Sequence, residues 1–445
     1  MDVYQEYKGK CCTADQAVQV VKDGDWVDYG MSCAYPTALD KALARRHSDL
    51  KDIKVRNAIS CHAVAILEAD PENRTFTYNL WHCSGIDRKY LDAGRAYHEP
   101  MLFRDCGSYY RRGFAPVDVA MITVAPMDKH GNFSFGLTNG CTQEMLDAAE
   151  TIIVEVNPNM PVVFGMGSDH IHVSKVQAIV ESQEAVSLAP NREPSAIDKQ
   201  IAENIFPYLH DGITLQLGIG GMPNALGILI AESDLKDLGM HTELMSDGYL
   251  NLYKAGKITN DKKPFQRGKG VFSICMGSKE LYEFLDHNQD VLSAPMHYVN
   301  NPETIRQLDD FISINSCIAA DLYGQVCSES AGTRHISGTG GQLDFVTGAY
   351  AADHGKAFLA MPSSRVDKQG IRHSNILSRF TAGDIITTPR TQAPYMVTEY
   401  GVANLSGLAT WQRAEALINI AHPDVREDLI KAAEAQHIWR RSNKC

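Results

Sequence analysis

Residues 211–226 read DGITLQLGIGGMPNAL, and the fold follows from how that run is built. An apolar, strand-like stretch ending at Leu217 breaks into a glycine-rich loop, Gly218 to Gly221. Pro223 then stands where a helix begins, because its fixed φ and missing N–H suit a first turn. The same signals occur near the N-terminus, where Asp23-Gly24-Asp25-Trp26-Val27-Asp28-Tyr29-Gly30 is followed by Pro36-Thr37-Ala38-Leu39. Each run leads to the pentapeptide Ser-Asp-Leu-Lys-Asp, at 48–52 and again at 233–237. The offset is 188 residues from Asp23 to Asp211 and 185 from Ser48 to Ser233. Further on, Asp128-Lys129-His130-Gly131 and Asp321-Leu322-Tyr323-Gly324 are matching DxxG turns between apolar runs. Ordered matches of this kind mark an internal duplication.

Each copy reads as strand, glycine turn, amphipathic helix, strand and hairpin, which predicts an α/β fold of two similar open domains with mostly parallel sheets covered by helices. The expected division is residues 1–190 and 195–445, with the junction in the aperiodic, two-proline stretch between Ser187 and Ser195. A site formed between two such diverged halves is expected at the domain interface. The chain closes with a strand and turn over Tyr395–Ala403 and two amphipathic helices, Trp411–Ile420 and Pro423–Ile438, the latter with Pro423 at its first position. The tail from Arg440 to Cys445 is expected to fray.

A length of 445 residues suits two domains, and 44% hydrophobic with 22% charged residues is ordinary for a globular chain. The net charge of −12, from 42 basic and 54 acidic residues, argues against nucleic acid as a main partner, since phosphate binding needs clustered basic excess. No basic stretch followed by an apolar run opens the chain, so no signal peptide is expected, and no apolar segment approaches the roughly 18 residues of a membrane span. Eleven cysteines without a CxxC pair fit reduced thiols and a cytoplasmic location.

The candidate for chemistry is Glu243 in His241-Thr242-Glu243-Leu244-Met245-Ser246-Asp247-Gly248, at the end of a strand-like run from Met240 to Met245. In open α/β sheets that rim is where ligands bind. Glu243 lies six residues past its pentapeptide, and the matching position in the first copy is Ala58. A carboxylate needed only for folding would be expected in both copies. The glycine loop at 218–221 and a second one, Ser337-Gly338-Thr339-Gly340-Gly341-Gln342-Leu343-Asp344-Phe345, offer backbone N–H groups for an anion or oxyanion. These features suggest a nucleophilic carboxylate and two loops that hold what it attacks.

With HTELMSDG, GIGGMPNAL, GTGGQLDF and VTEYGVANLSG in order, the chain from about Tyr7 to about His437 resembles the acetyl-CoA hydrolase/transferase family, and most of all its butyryl-CoA:acetate and 4-hydroxybutyrate CoA-transferases. The resemblance implies a CoA-transferase fold and a ping-pong transfer of CoA from a short-chain acyl-CoA to acetate or another carboxylate, as in fermentative butyrate metabolism. Glu243 would be the catalytic residue, carrying CoA as a glutamyl thioester. CoA is then a substrate, transiently covalent on Glu243, with no tightly bound cofactor and no metal. The CoA-binding residues implied are Gly218, Ile219, Gly220, Gly221, Met222, Ile318 and Gly341, with Asn315, Gly340 and Glu399 as auxiliary groups. A homo-oligomer, dimer or tetramer, is expected.

Other readings stay open on sequence grounds. The same Glu243 would serve a 4-hydroxybutyrate CoA-transferase or an acyl-CoA hydrolase, which differs only in admitting water. An acyl-CoA sensor is the non-enzyme alternative, and its sign would be loss of the acid that is present here. The GxGG loop lacks the last glycine of a dinucleotide fingerprint. His170 and His172 read as an ordinary pair rather than metal ligands, and Cys33, Cys275 and Cys327 as structural thiols. Lys262, Lys263, Arg267 and Lys269 read as either a solvated loop or contacts to CoA phosphates. The acyl pocket is expected from the first half, around Met31–Pro36 and Asn79–Ser84.

Overall fold

The repeated aspartate–glycine pairs make the same clamp in both copies of the chain. Asp23 Oδ1 accepts from the Lys51 amide at 2.8 Å while Gly24 N–H donates to the Lys51 carbonyl at 3.0 Å. In the second copy Asp211 Oδ1 accepts from Lys236 N–H at 3.0 Å and Gly212 donates to the Lys236 carbonyl at 3.1 Å. The pentapeptides end in Asp52 and Asp237, with φ of 58° and 60°, a left-handed conformation that aspartate tolerates better than most side chains. The sequence repeat is thus a repeated turn. The DxxG turns also agree: Asp128 Oδ1 accepts from His130 and Asn132 amides, and Asp321 Oδ1 from Tyr323 and Gln325 amides. A third turn of this build, Asp367 to Gly370, sits in the second half.

The structure is a computed structural model that describes residues 2–189, 193–392 and 394–440. It packs as two units, Met1–Pro190 with Glu243–Ser246 and Gly270–Val299, and Asn191–Thr242 with Asp247–Lys269 and Asn300–Cys445. The expected domain of residues 195–445 is therefore not one body. Leu244, Ile274 and Met296 share a core with Met31, Ala58, Phe103 and Cys141, and this shared apolar burial draws their segments into the first unit. The expected junction includes residues 190–192, and the expected frayed tail residues 441–445, which lie outside the described residues.

In the first unit β1 (Trp26–Tyr29), β2 (Ile53–Asn57), β3 (Phe76–Leu80), β4 (Ala96–His98), β5 (Val119–Val124), β6 (Asn132–Ser134), β7 (Thr151–Val156), β8 (His170–His172) and β9 (Ala178–Glu181) follow in order. Seven of them form a sheet in the order β4-β3-β2-β1-β5-β7-β9, parallel throughout. Its strands are buried on both faces, as the burial of all six residues of β5 shows, which is why they read as apolar runs. β6 and β8 form a separate antiparallel pair.

The second copy continues with β10 (Thr214–Leu217), β11 (Gly239–Met245), β12 (Gly270–Cys275), β13 (Val291–Ser293) and β14 (Phe311–Ser316). Within the second unit the order is β11-β10-β14, followed by Lys356–Ala360, Tyr395–Thr398 and Gly401–Asn404. All are parallel except the last, which closes antiparallel. β12 and β13 pair in the first unit. β11 runs through the boundary, with Gly239–Thr242 in the second unit and Glu243–Met245 in the first. In both copies the strand order reverses direction at the first strand, between β1 and β5 and between β10 and β14, the switch point where α/β sheets take ligands. The two closing helices are Thr410–Asn419 and Pro423–Ala435, with Pro423 in the first turn as expected. No helix among the described residues is long and apolar enough to cross a membrane.

Candidate active site

The switch point of the second copy is built from three neighbouring features. The Gly218 amide donates to the Ile314 carbonyl at 3.0 Å, holding the start of the glycine loop against the end of β14. A Cβ at Gly218 would reach no atom closer than 3.6 Å, whereas at Gly221 it would meet Asp198 Oδ2 at 2.4 Å. Gly220 has φ +123°, a conformation that glycine adopts freely. The loop runs into the helix Gly221–Glu232, whose N-cap is Gly220 and which has no side-chain cap. The Asp198 carboxylate lies against this end of the helix, where the positive end of the dipole favours an anion. Ile219 is 56% exposed, while Met222 is buried.

Beneath this loop lies a polar network that sequence inspection missed. Asn315 Nδ2 donates to Gln216 Oε1 at 3.1 Å and to Ser313 Oγ at 2.9 Å; Gln216 Nε2 returns a bond to Asn315 Oδ1 at 3.1 Å, and Ser313 Oγ donates to Gln216 Oε1 at 2.7 Å. These bonds fix the amide of Asn315, a half-buried group. The available signal was Gln216 itself, a long polar side chain between Leu215 and Leu217 in an apolar strand. Ile318 sits three residues further on and its amide donates to Cys327 carbonyl at 2.9 Å in the hairpin after β14.

The second glycine loop also feeds a helix, Gln342–Ala351, with Gly341 as its N-cap and no side-chain cap bond. Gly340 takes φ +56°, and Gly340 and Gly341 are both buried. Thr339 Oγ1 donates to Glu329 Oε1 at 3.0 Å and Gln342 Nε2 to Thr388 Oγ1 at 3.0 Å. Glu399, in the turn just after the strand Tyr395–Thr398, has both carboxylate oxygens taken by Ser363, from its amide at 2.8 Å and its hydroxyl at 2.6 Å. The second unit thus brings Gly218–Met222 beside Asn315. Ser363 anchors Glu399 separately.

Glu243 lies within β11 and is half-buried, and the next residue, Leu244, enters the core of the first unit. Strand register tests its equivalence to Ala58. In the first copy Val27 pairs with Val55, and in the second Leu215 pairs with Met240. Three residues on from Val55 is Ala58, and three on from Met240 is Glu243. The duplication therefore holds through the acid, and the acid is an addition of the second copy.

One expectation about charge needs correction. Lys263 is neither solvated nor placed for phosphates: it is 1% exposed and donates to the carbonyls of Met240 at 3.2 Å and Lys269 at 2.7 Å. Burial without a carboxylate lowers its pKa to about 7. Arg267 donates to the Asp261 carbonyl at 3.0 Å within its own loop. His170 and His172 lie in the short strand β8, each hydrogen-bonded locally, to Asp169 and Ser174.

The acetyl-CoA hydrolase/transferase N-terminal domain matches residues 1–190 and the C-terminal domain residues 277–433. A butyryl-CoA:acetate CoA-transferase from Anaerostipes caccae is 47% identical over 446 residues, covering 100% of both chains. A 4-hydroxybutyrate coenzyme A transferase from Clostridium kluyveri is 39% identical, covering 97% of this chain and 98% of its own. Among solved structures, RipA from Yersinia pestis superposes with TM-score 0.90 at 34% identity, covering 98% of this chain and 100% of that one. A 4-hydroxybutyrate CoA-transferase from Porphyromonas gingivalis gives TM-score 0.78 at 32% identity, with coverage of 97% and 99%.

Proposed function

The chain belongs to the acetyl-CoA hydrolase/transferase family, and on that premise we propose that it is a CoA-transferase moving CoA from a short-chain acyl-CoA, such as butyryl-CoA, to acetate. The observation that carries the reading is the end-to-end match to a butyryl-CoA:acetate CoA-transferase. The absence of the acid from the first copy supports giving it a chemical role.

Glu243 attacks the thioester carbonyl, the carbon–sulfur bond breaks, and a mixed acyl-glutamyl anhydride and CoA thiolate form. The thiolate then attacks the glutamyl carbonyl, the anhydride bond to the acyl carboxylate breaks, and a glutamyl-CoA thioester remains. Acetate reverses both steps and leaves as acetyl-CoA. A carboxylate suits this work because each intermediate stays as activated as the substrate. Every nucleophile is already an anion, so no proton relay is needed. What the chemistry needs is stabilised oxyanions, and one good donor is worth about 3 kcal/mol. The amides of Ile219, Gly220, Gly340 and Gly341 are the donors assigned here, and Gly218, Gly221, Met222 and Ile318 contact CoA through the backbone. Asn315, held by Gln216 and Ser313, and Glu399, held by Ser363, orient the acyl and acid groups. The enzyme acts in the cytoplasm as a homo-oligomer.

The test is CoA transfer from butyryl-CoA measured with and without acetate. The account expects acetyl-CoA to form and thioester loss to fall to background when acetate is omitted. Thioester loss at the full rate without acetate would make it a hydrolase instead.

A further inference from the structure

We propose that Cys33 and Cys61 are an oxidisable thiol pair, and that a disulfide between them, formed by a peroxide, reversibly lowers turnover. Both lie at the rim of the first unit's sheet, Cys33 in the loop after β1 and Cys61 in the loop after β2. The Ser32 hydroxyl touches both sulfurs, at 4.0 Å from Cys33 Sγ and 3.8 Å from Cys61 Sγ. Both loops carry strained backbone, with Ser32 at φ 55° and Ile59 at φ 60°, unusual for a serine and more so for a β-branched residue.

Reactivity and access favour this pair over others in the chain. Cys61 Sγ donates to the Ile59 carbonyl at 3.5 Å, and the influence of each thiol on the other sets the Cys33 pKa below the usual thiol value and that of Cys61 above it. The Tyr282 hydroxyl lies 3.4 Å from Cys33 Sγ, and Tyr282 also lines a surface groove of about 530 Å³ with Pro158, Val186 and Leu188. Cys61 is only half-buried, so the pair is not sealed from a small oxidant. Cys106 and Cys141 are also neighbours, but both are buried, whereas Cys61 is partly exposed.

The chemistry balances with hydrogen peroxide as oxidant. The Cys33 thiolate attacks one peroxide oxygen, the O–O bond breaks, and hydroxide leaves and takes a proton, giving a sulfenic acid and water. The Cys61 thiol then displaces the sulfenic oxygen as a second water, and the disulfide forms. Met31 and Ala58, on the same two loops, share a core with Leu244, the residue after Glu243. Tying the loops together therefore shifts the packing that supports the proposed nucleophile.

The test treats the full-length protein with hydrogen peroxide, blocks free thiols, and maps peptides without reduction while turnover is followed. A cross-linked pair holding Cys33 and Cys61 is expected, together with a loss of turnover of roughly tenfold or more that dithiothreitol restores. Cys61→Ser should keep resting turnover and lose it under peroxide without recovery, because Cys33 then oxidises further. The proposal fails if the cross-link does not form, if it forms with turnover unchanged, or if Cys61→Ser recovers like the wild type. Only the turnover readout rests on the transferase reading, so an absent disulfide and an inactive enzyme are told apart by the peptide map.

Discussion

In the first repeat the helix after the glycine turn, Thr37–Ala44, receives its anion from within: Glu155 Oε2 accepts from the Ala38 amide at 2.8 Å and the Leu39 amide at 3.2 Å. In the second repeat the corresponding helix, Gly221–Glu232, begins without a side-chain cap. The turns before them differ in the same sense. A Cβ at Gly30 would strike the Ala34 carbonyl at 2.3 Å, so that loop is folded tightly on itself, while the equivalent Gly218 has ordinary clearance. Where the second copy has Gly220 the first has Ser32, two residues past each shared glycine. The first repeat meets its helix terminus with Glu155 bonded to two amides, whereas in the second the Asp198 carboxylate lies against Gly221.

Strand pairing shows the same divergence one layer down. Asp28 pairs in register with Arg56, and the two form an ion pair at 2.9 Å with 1% and 3% exposure. Arg56 also stacks over Trp26 and Trp81, at 4.4 and 5.4 Å, and bonds Glu99 at 3.2 Å. Counted by the offsets of the repeat, these positions are Gln216 and His241 in the second copy. There the strand charge is replaced by an amide that reaches for Asn315. The first copy thus holds a buried ion pair where the second holds an amide network beside its glycine loop.

The largest effect tests whether the two copies are interchangeable. Glu243→Ala should lower CoA transfer by about 10⁴-fold, and adding Ala58→Glu to it should restore nothing, since the first copy's helix terminus is already occupied by Glu155. Steady-state kinetics of both variants decide this, and recovery in the double variant would break the comparison. Next in size, Arg56→Leu leaves Asp28 buried without its partner and should cost about 3–5 kcal/mol of stability in denaturant unfolding. A loss under 1 kcal/mol would mean that the first copy does not depend on this pair. The smallest effect is Glu155→Gln, which keeps an oxygen for the Ala38 and Leu39 amides and removes a charge that burial disfavours more than those amides favour it, so at neutral pH the variant should match or exceed wild-type stability by up to about 1 kcal/mol in denaturant unfolding. Burial raises the Glu155 pKa, so the folded protein holds this proton to higher pH than the unfolded chain. Wild-type stability should accordingly fall as pH rises from the unfolded carboxyl value of about 4.3 through the folded one, a slope that the Gln variant lacks.

Much of this was legible in the sequence because repeats expose themselves by order. The Asp-Gly pairs, the pentapeptides and the DxxG turns are local backbone devices, so their residues announced the turns they make, and the strand and helix over 211–232 followed. The half-chain assignment of Glu243–Ser246 and Gly270–Val299 was not legible, because Leu244, Ile274 and Met296 are apolar residues whose pattern says that they are buried without saying in which core. Lys263 and Glu155 were misread or passed over for a related reason. Charge predicts surface until a carbonyl or a helix terminus is found to receive it. The support of Asn315 by Gln216 and Ser313 depends on neighbouring strands, and only register brings those side chains together.

The most direct measurement is mass spectrometry of the protein incubated with butyryl-CoA in the absence of acetate, followed by peptide mapping. The account predicts CoA attached through a thioester to the peptide holding Glu243, discharged when acetate is added. An active protein that carries no CoA there, or carries it on another residue, would contradict it.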